Sequence, residues 1–388
     1  MEKWIGTWGA SPAAPVHFVP LEIMAAPAPV QGTIRHRLRV SAGGSRLRLR
    51  LSNETGDRPL LIGGTSVGLA GEVAAAKPGT LQRVTFGGRS AIAIIGGAAA
   101  VSDPVDLAVP NLSELVVSVY LPQPFVASPS EGVHQAMLAS GRDAILEEAW
   151  RDTAPLAVRP LVTAISVTPL RATRVIVTLG DSVTDGGACD AREVRSWAGI
   201  LAARLGARAD PAAYSVVNAG IGGNRLLGQL IGPPALVRLD RDVFATPGVT
   251  DLIVLEGIND IGVGGRTIEG VTYPLVEPDE LIAAYSQIIE RAHERSVRVI
   301  GATMLPFRDA FFFTEEKERT RQSINAWIRS GGAFDGVIDF DAVVRDPGDS
   351  SALRPEFDTG DHLHPNNAAY QAMGRAVDLS LFAGCQIQ

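Results

Sequence analysis

Residues 175–179 constrain this chain more than any other stretch. Val175, Ile176, Val177 and Leu179 form a nearly continuous apolar run, the pattern of a strand buried on both faces of a parallel sheet. The run stops at Gly180-Asp181-Ser182, and helical spacing resumes near Arg192. A strand that ends in a tight turn carrying serine presents its hydroxyl at the carboxyl edge of the sheet, where open α/β sheets bind ligands. From about Arg171 onward the same texture repeats. Further strands are predicted at 214–217, 251–255, 297–302 and 336–340, and helices at 194–205, 279–295, 314–330 and 366–381. Pro278-Asp279-Glu280 is a helix start, with acidic residues where the dipole favours them. This alternation predicts an α/β fold over 171–388, a doubly wound, parallel, five-stranded sheet covered by helices on both faces.

Residues 1–170 read differently. In 33–40, Ile34, His36, Leu38 and Val40 alternate with Arg35, Arg37 and Arg39. Gly43-Gly44 follows, and Leu47, Leu49 and Leu51 then alternate with Arg46, Arg48 and Arg50. Two such runs about a glycine turn predict a hairpin. Other strands are predicted at 60–69, 80–86, 90–95, 115–121 and 161–167, with no helical period between them. The expectation is an amino-terminal β-sandwich (jelly-roll-like) domain over 1–170, accessory to the α/β domain over 171–388. The arginine stripe is read as a solvated or salt-bridged sheet face rather than an anion site. His36 is read as a hydrogen-bonded core histidine, and Trp4 and Trp8 as plugs on a domain surface.

Charge and cysteine usage narrow the classes. A net charge of -7 and a pI near 5.5 argue against a nucleic-acid binder or a polybasic membrane-surface protein. The two cysteines, Cys189 and Cys385, are too few for a disulfide scaffold and read as free thiols, although a single bridge is open to them. No Cys/His spacing suggests zinc. The longest apolar stretch, 91–101, is broken by Gly96-Gly97 and is too short to span a bilayer. The opening MEKWIGTWGASPAAP lacks the apolar core of a signal peptide, so the chain as written reads as soluble.

The residues with chemistry fall at the predicted strand ends. After the second strand comes the glycine-rich turn Asn218-Ala219-Gly220-Ile221-Gly222-Gly223-Asn224-Arg225, after the third Glu256-Gly257-Ile258-Asn259-Asp260, and after the fifth Asp361-His362-Leu363-His364-Pro365. A serine nucleophile needs a base within hydrogen-bond reach, and that base needs an acceptor to fix its tautomer. Asp361 and His364, three apart before a helix, can orient each other locally. Oxyanion donors are offered by the Ser182 N–H, the Gly223 N–H and the Asn259 amide. His362 and His364 form an H-x-H, but no third ligand follows at a sensible spacing, so no metal is expected.

These blocks resemble those of an SGNH hydrolase of the GDSL esterase/lipase superfamily. They occur in the family's order: GDS at 180–182, glycine at Gly223, G-x-N-D at 257–260 and D-x-x-H at 361–364. Between them, NAGIGGNR, RLDRDV, LEGIND and GDHLHPN resemble one bacterial subfamily whose members carry an amino-terminal β-domain. The resemblance implies an SGNH (flavodoxin-like) sheet, Ser182 as nucleophile, Gly223 and Asn259 completing the oxyanion hole, and His364 with Asp361 finishing the triad. The first block reads GDSV rather than GDSL, a change at a packing position. The G-x-S-x-G elbow of α/β-hydrolases is absent: Gly180 lies two before Ser182 and Thr184 two after.

The expected activity is therefore a serine esterase working through an acyl-enzyme without a cofactor, on a small-molecule or carbohydrate ester. Short acyl chains, acetyl to butyryl, are expected because a long-chain lipase needs an apolar trough or an amphipathic lid. Residues 261–278 read as a loop or short hairpin, and 305–313 is one turn long. Phe307, Phe311 and Phe312 are candidates to wall a small substrate pocket or stack on a sugar, or else simply to pack. The alternatives are an acyltransferase to a sugar hydroxyl, a lipase or lysophospholipase on longer chains, and a carbohydrate-binding module with a dead site.

Overall fold

The structure is a computed structural model that describes residues 2–14, 29–128, 135–186, 196–208, 213–268 and 270–383. The chain divides into two compact units, Met1–Thr173 with Asp210–Ser215, and Arg174–Ala209 with Val216–Gln388. Both cysteines lie outside the described residues.

The first unit is built of antiparallel strands. One sheet has four strands in the order Ile5–Gly9, Val162–Val167, Leu47–Asn53 and Ala98–Val101. A second has six, in the order Ala154–Leu156, Gln135–Ser140, Pro29–Arg39, Glu114–Val126, Gly64–Leu69 and Gln82–Val84. Alternation sets the faces: Ile34, Leu38, Leu47, Leu49 and Leu51 are all buried. The predicted hairpin is a correction. Pro29–Arg39 pairs with Glu114–Val126 and Gln135–Ser140, whereas Leu47–Asn53 pairs with Val162–Val167 and Ala98–Val101. The Gly43-Gly44 segment thus carries the chain from one sheet to the other. The arginine stripe is salt-bridged where it was expected to be: Arg37 pairs with Glu114, Arg46 with Asp106 and Glu2, and Arg50 with Glu54. Arg48 lies over the Trp4 ring at 4.2 Å. Arg35 departs from the stripe. It is buried, donates to Ser118 Oγ and to the carbonyls of Ala74 and Glu147, and lies over Trp150.

The second unit carries the α/β fold. Its strands are β1 (Thr173–Gly180), β2 (Ala213–Gly220), β3 (Val249–Leu255), β4 (Arg298–Ala302) and β5 (Gly336–Ile338), in the spatial order β2-β1-β3-β4-β5. Pairings β1–β3, β3–β4 and β4–β5 are parallel. Every residue of β1 is buried, as its unbroken apolar run requires. β5 ends two residues earlier than expected, because Asp339 caps a short helix, Phe340–Val344, by accepting from Ala342 N–H.

Among the described residues the helices of this unit are α1 (Ser182–Asp185), α2 (Trp197–Gly206), α3 (Ala235–Leu239), α4 (Ile258–Val263), α5 (Pro278–His293), α6 (Glu315–Ser330), α7 (Phe340–Val344) and α8 (Asn367–Ala376). Among them α2 packs on α8, where a Cβ on Gly374 would sit 2.6 Å from Ile200, and Trp197 meets Phe340 of α7 at 5.1 Å. Helices α5 and α6 pack together through Tyr285 and Trp327. No described helix is long and apolar enough to cross a membrane. Strand order reverses between β1 and β3, and the crevice beyond their carboxyl ends is where such a sheet binds ligands.

Candidate active site

Register brings the first and third blocks together. Gly180 of β1 sits opposite Leu255 of β3, so Asp181-Ser182 and Glu256-Gly257 leave the sheet side by side. Gly180 has to be glycine: a Cβ there would lie 2.3 Å from Thr184 Oγ1 and 2.4 Å from the Leu255 carbonyl oxygen. Asp181 caps α1 by accepting from Val183 N–H, which places Ser182 at the first position of that helix. There the Ser182 N–H has no intrahelical acceptor.

The candidate base comes from the loop before α8. His364 Nε2 lies 2.9 Å from Ser182 Oγ, and His364 Nδ1 lies 2.6 Å from Asp361 Oδ2. Asp361 is tied into its own turn, its Oδ1 accepting from the N–H groups of Leu363 and His364. Burial raises its carboxyl, but the His364 hydrogen bond and charge and these backbone donors outweigh that and hold it well below the usual carboxylate range. Asp361 therefore stays ionised wherever a histidine titrates. His362 is turned away into a second pair, its Nδ1 2.6 Å from Asp358 Oδ2. Each imidazole of the H-x-H is thus held by its own carboxylate, and no cluster of three metal-ligating side chains occurs among the described residues.

The glycine-rich block is held by Asn259 and Asp260 of the third block and by Arg238 of the RLDRDV stretch. Gly223 has φ +70, a left-handed conformation that favours glycine. The next residue, Asn224, accepts on its backbone oxygen from Asn259 Nδ2 at 2.9 Å, which leaves the second amide hydrogen of Asn259 to donate elsewhere. Asp260, fully buried, accepts from the N–H groups of Leu226 and Leu227 at 2.6 and 3.0 Å. Arg238 of α3, also buried, donates to the backbone oxygens of Gly180 and Ala219 and to Asn224 Oδ1. A signal for Arg238 exists in the sequence: Arg238 and Asp242 are an i,i+4 pair of opposite charge.

The phenylalanine candidates separate. Phe307 and Phe312 are buried with ring centroids 5.6 Å apart, and a Cβ on Gly262 of α4 would lie 2.8 Å from the Phe312 ring. Both rings pack against neighbouring side chains. Phe311 is 56% exposed, set edge-on to Phe312 at 4.5 Å with the Arg266 guanidinium 5.0 Å from its ring centroid.

Glu256, immediately after β3, is fully buried and neither carboxylate oxygen finds a hydrogen-bond partner among the described residues. Arg238 Nη2 is 3.9 Å away. Burial and the neighbouring Asp181 and Asp260 carboxylates push this carboxyl well above its usual range, against the pull of Arg238. A carboxyl that holds its proton more tightly when folded contributes stability below its unfolded pKa, and that contribution is lost as pH rises through the window up to the folded value. Glu256→Gln, which cannot ionise, is expected to melt higher than the parent by about 2–4 °C at pH 8, roughly the effect of 1 kcal/mol in a unit of this size. The gap should close toward pH 4. Melting curves across that range check this, and a gap independent of pH contradicts it.

A serine, an imidazole and a carboxylate in one hydrogen-bonded line, on a doubly wound sheet, define a serine hydrolase. The sequence model of the GDSL-like Lipase/Acylhydrolase family matches residues 178–372, and the chain belongs to that family, within the SGNH hydrolases, and is a carboxylic ester hydrolase. No curated protein matches it. Among solved structures, it is similar to an acetyl xylan esterase from Geobacillus stearothermophilus, at 19% identity and a TM-score of 0.41 over 53% of this chain and 93% of that one. It is also similar to a GDSL-like lipase from Bacteroides thetaiotaomicron VPI-5482, at 18% identity and a TM-score of 0.39 over 54% and 87%. The family assignment rests on the sequence match alone.

Proposed function

We propose that this chain hydrolyses short-chain acyl esters, acetyl to butyryl, of a carbohydrate or a similarly small polar alcohol. Ser182 is the nucleophile, His364 the base and Asp361 its orienting carboxylate. The hydrogen-bonded line from Ser182 through His364 to Asp361 carries this reading. His364 Nε2 accepts the Ser182 proton as Oγ attacks the acyl carbon, and Asp361 stabilises the imidazolium. The N–H groups of Ser182 and Gly223 and the free amide hydrogen of Asn259 hold the tetrahedral oxyanion. Collapse expels the alcohol, which takes the proton from His364. Water then enters, loses a proton to His364 and attacks the acyl-enzyme, releasing the acid and restoring Ser182. Each proton and electron pair in this cycle is carried by the chain, the ester or water, so no cofactor takes part. The second unit performs this chemistry and the β-sandwich is accessory to it.

The short-acyl preference is supported by what occupies two described segments long enough for a lid. After α4 the chain makes a small hairpin, Thr267–Ile268 with Val271–Thr272, and residues 305–313 form an aromatic turn whose Phe307 and Phe312 are spent on packing. Neither presents an amphipathic helix. Phe311 is left as the one of the three rings exposed enough to meet a sugar. With p-nitrophenyl esters from acetate to palmitate, kcat/KM is expected to be greatest between acetate and butyrate and to decline beyond. A maximum at octanoate or longer makes the enzyme a lipase instead.

A further inference from the structure

We propose that Arg238 is a positioning residue that holds the Ser182 turn and the Gly223–Asn224 loop at the separation the oxyanion requires. The inference rests on the proposed roles of Ser182 and Asn259. Helix α3 continues beyond Leu239 into a π-helical turn, Asp240–Phe244, which sets Asp242 against Arg238 with Oδ2 3.1 Å from Nη1. Its buried guanidinium thereby keeps a counter-charge and still has donors left for three other partners.

Those partners belong to different parts of the site. Nη2 donates to the Gly180 oxygen at 3.0 Å, two residues before the nucleophile. Nη1 donates to the Ala219 oxygen at 2.5 Å, near the end of β2. Nε donates to Asn224 Oδ1 at 2.8 Å, and the backbone oxygen of that asparagine takes the Asn259 amide. Asn224 is locked from its other end too, its Nδ2 donating to the Ile231 and Pro233 oxygens at 2.9 Å each. A rigid, planar fork reaches the nucleophile strand and the oxyanion loop at once, and a lysine, whose three donors radiate from one nitrogen, cannot reach acceptors spread over the width of a guanidinium. Oxyanion donors act only when aimed at the developing charge, so a small drift between the two loops acts on the transition state more than on the bound ester.

The test is a double-mutant cycle on the intact chain, read with p-nitrophenyl acetate. Arg238→Lys is expected to lower kcat by about 10–100-fold while KM changes less than about twofold, below the full loss of one oxyanion donor. In an Asn259→Ala background the same change is expected to cost at least threefold less than it does alone, because the donor it aims is already gone. A merely structural role leaves the two losses multiplying, and that result overturns the proposal, as does an unchanged kcat or an effect confined to KM. Should Arg238→Lys fail to fold, Asn224→Ala, which removes the acceptor of Nε, enters the same cycle with the same expectations. Ser182→Ala runs alongside: if it remains active the assigned nucleophile is wrong, whereas an inactive Ser182→Ala with multiplying losses at Arg238 sinks this inference alone.

Discussion

Ser182→Ala and His364→Ala are each expected to remove esterase turnover almost completely, by up to about 10⁶ if nucleophile and base act as one unit. The expectation follows from the 2.9 Å contact between Ser182 Oγ and His364 Nε2, which gives the hydroxyl a base and gives the imidazole a proton to take. Losing either partner leaves the other with nothing to act on, so the double variant is no worse than the single ones. Asp361→Asn costs less, up to about 10⁴, because it disturbs the orientation and tautomer of His364 rather than the proton acceptor. Steady-state turnover of p-nitrophenyl acetate by each variant, with its fold checked by circular dichroism, gives the comparison. A folded Ser182→Ala or His364→Ala that keeps more than a tenth of the parent turnover refutes the assignment.

The second large effect is at Asn259. Its alanine variant is expected to lose about 10²–10³ in kcat with little change in KM, since its free amide hydrogen meets charge only in the transition state. The structure adds a reason for the upper end of that range. Asn259 also donates to the Asn224 oxygen, so its removal loosens the loop that carries the Gly223 donor as well as deleting an amide. A change in KM alone would reassign Asn259 to ground-state binding.

Much of this was legible in the chain, for a physical reason. Buried parallel strands need continuous apolar residues, and β1 and β3 announce themselves in that way. Their ends hold the chemistry because side chains there are freed from the sheet at its ligand-binding edge. Asp361 and His364 form a contact within one turn, and short-range geometry follows from spacing. Partner choice among antiparallel strands does not. Alternation in Pro29–Arg39 and Leu47–Asn53 fixes which face of each is buried, but nothing local tells the second to pair with Val162–Val167, more than a hundred residues on. Arg35 shows the same limit: its stripe of neighbours reads as solvated, and only distant carbonyls make its burial possible. The phenylalanines at 307 and 312 offered no sign that Gly262 would leave room for a ring. Arg238 stands in the RLDRDV stretch, but its role was not legible there, because what a buried cation does lies in which carbonyls surround it.

The two halves of the site differ in how portable they are. The Asp361–His364 pair is written into a single turn, closed by that aspartate's own grip on the Leu363 and His364 amides. The oxyanion half is spread over three strand ends and a buried arginine, and it survives or fails with the domain. On the proposed roles, a change confined to the Asp361–His364 turn is local, whereas a disturbed oxyanion half involves residues of the core, Arg238 and Asp260 among them.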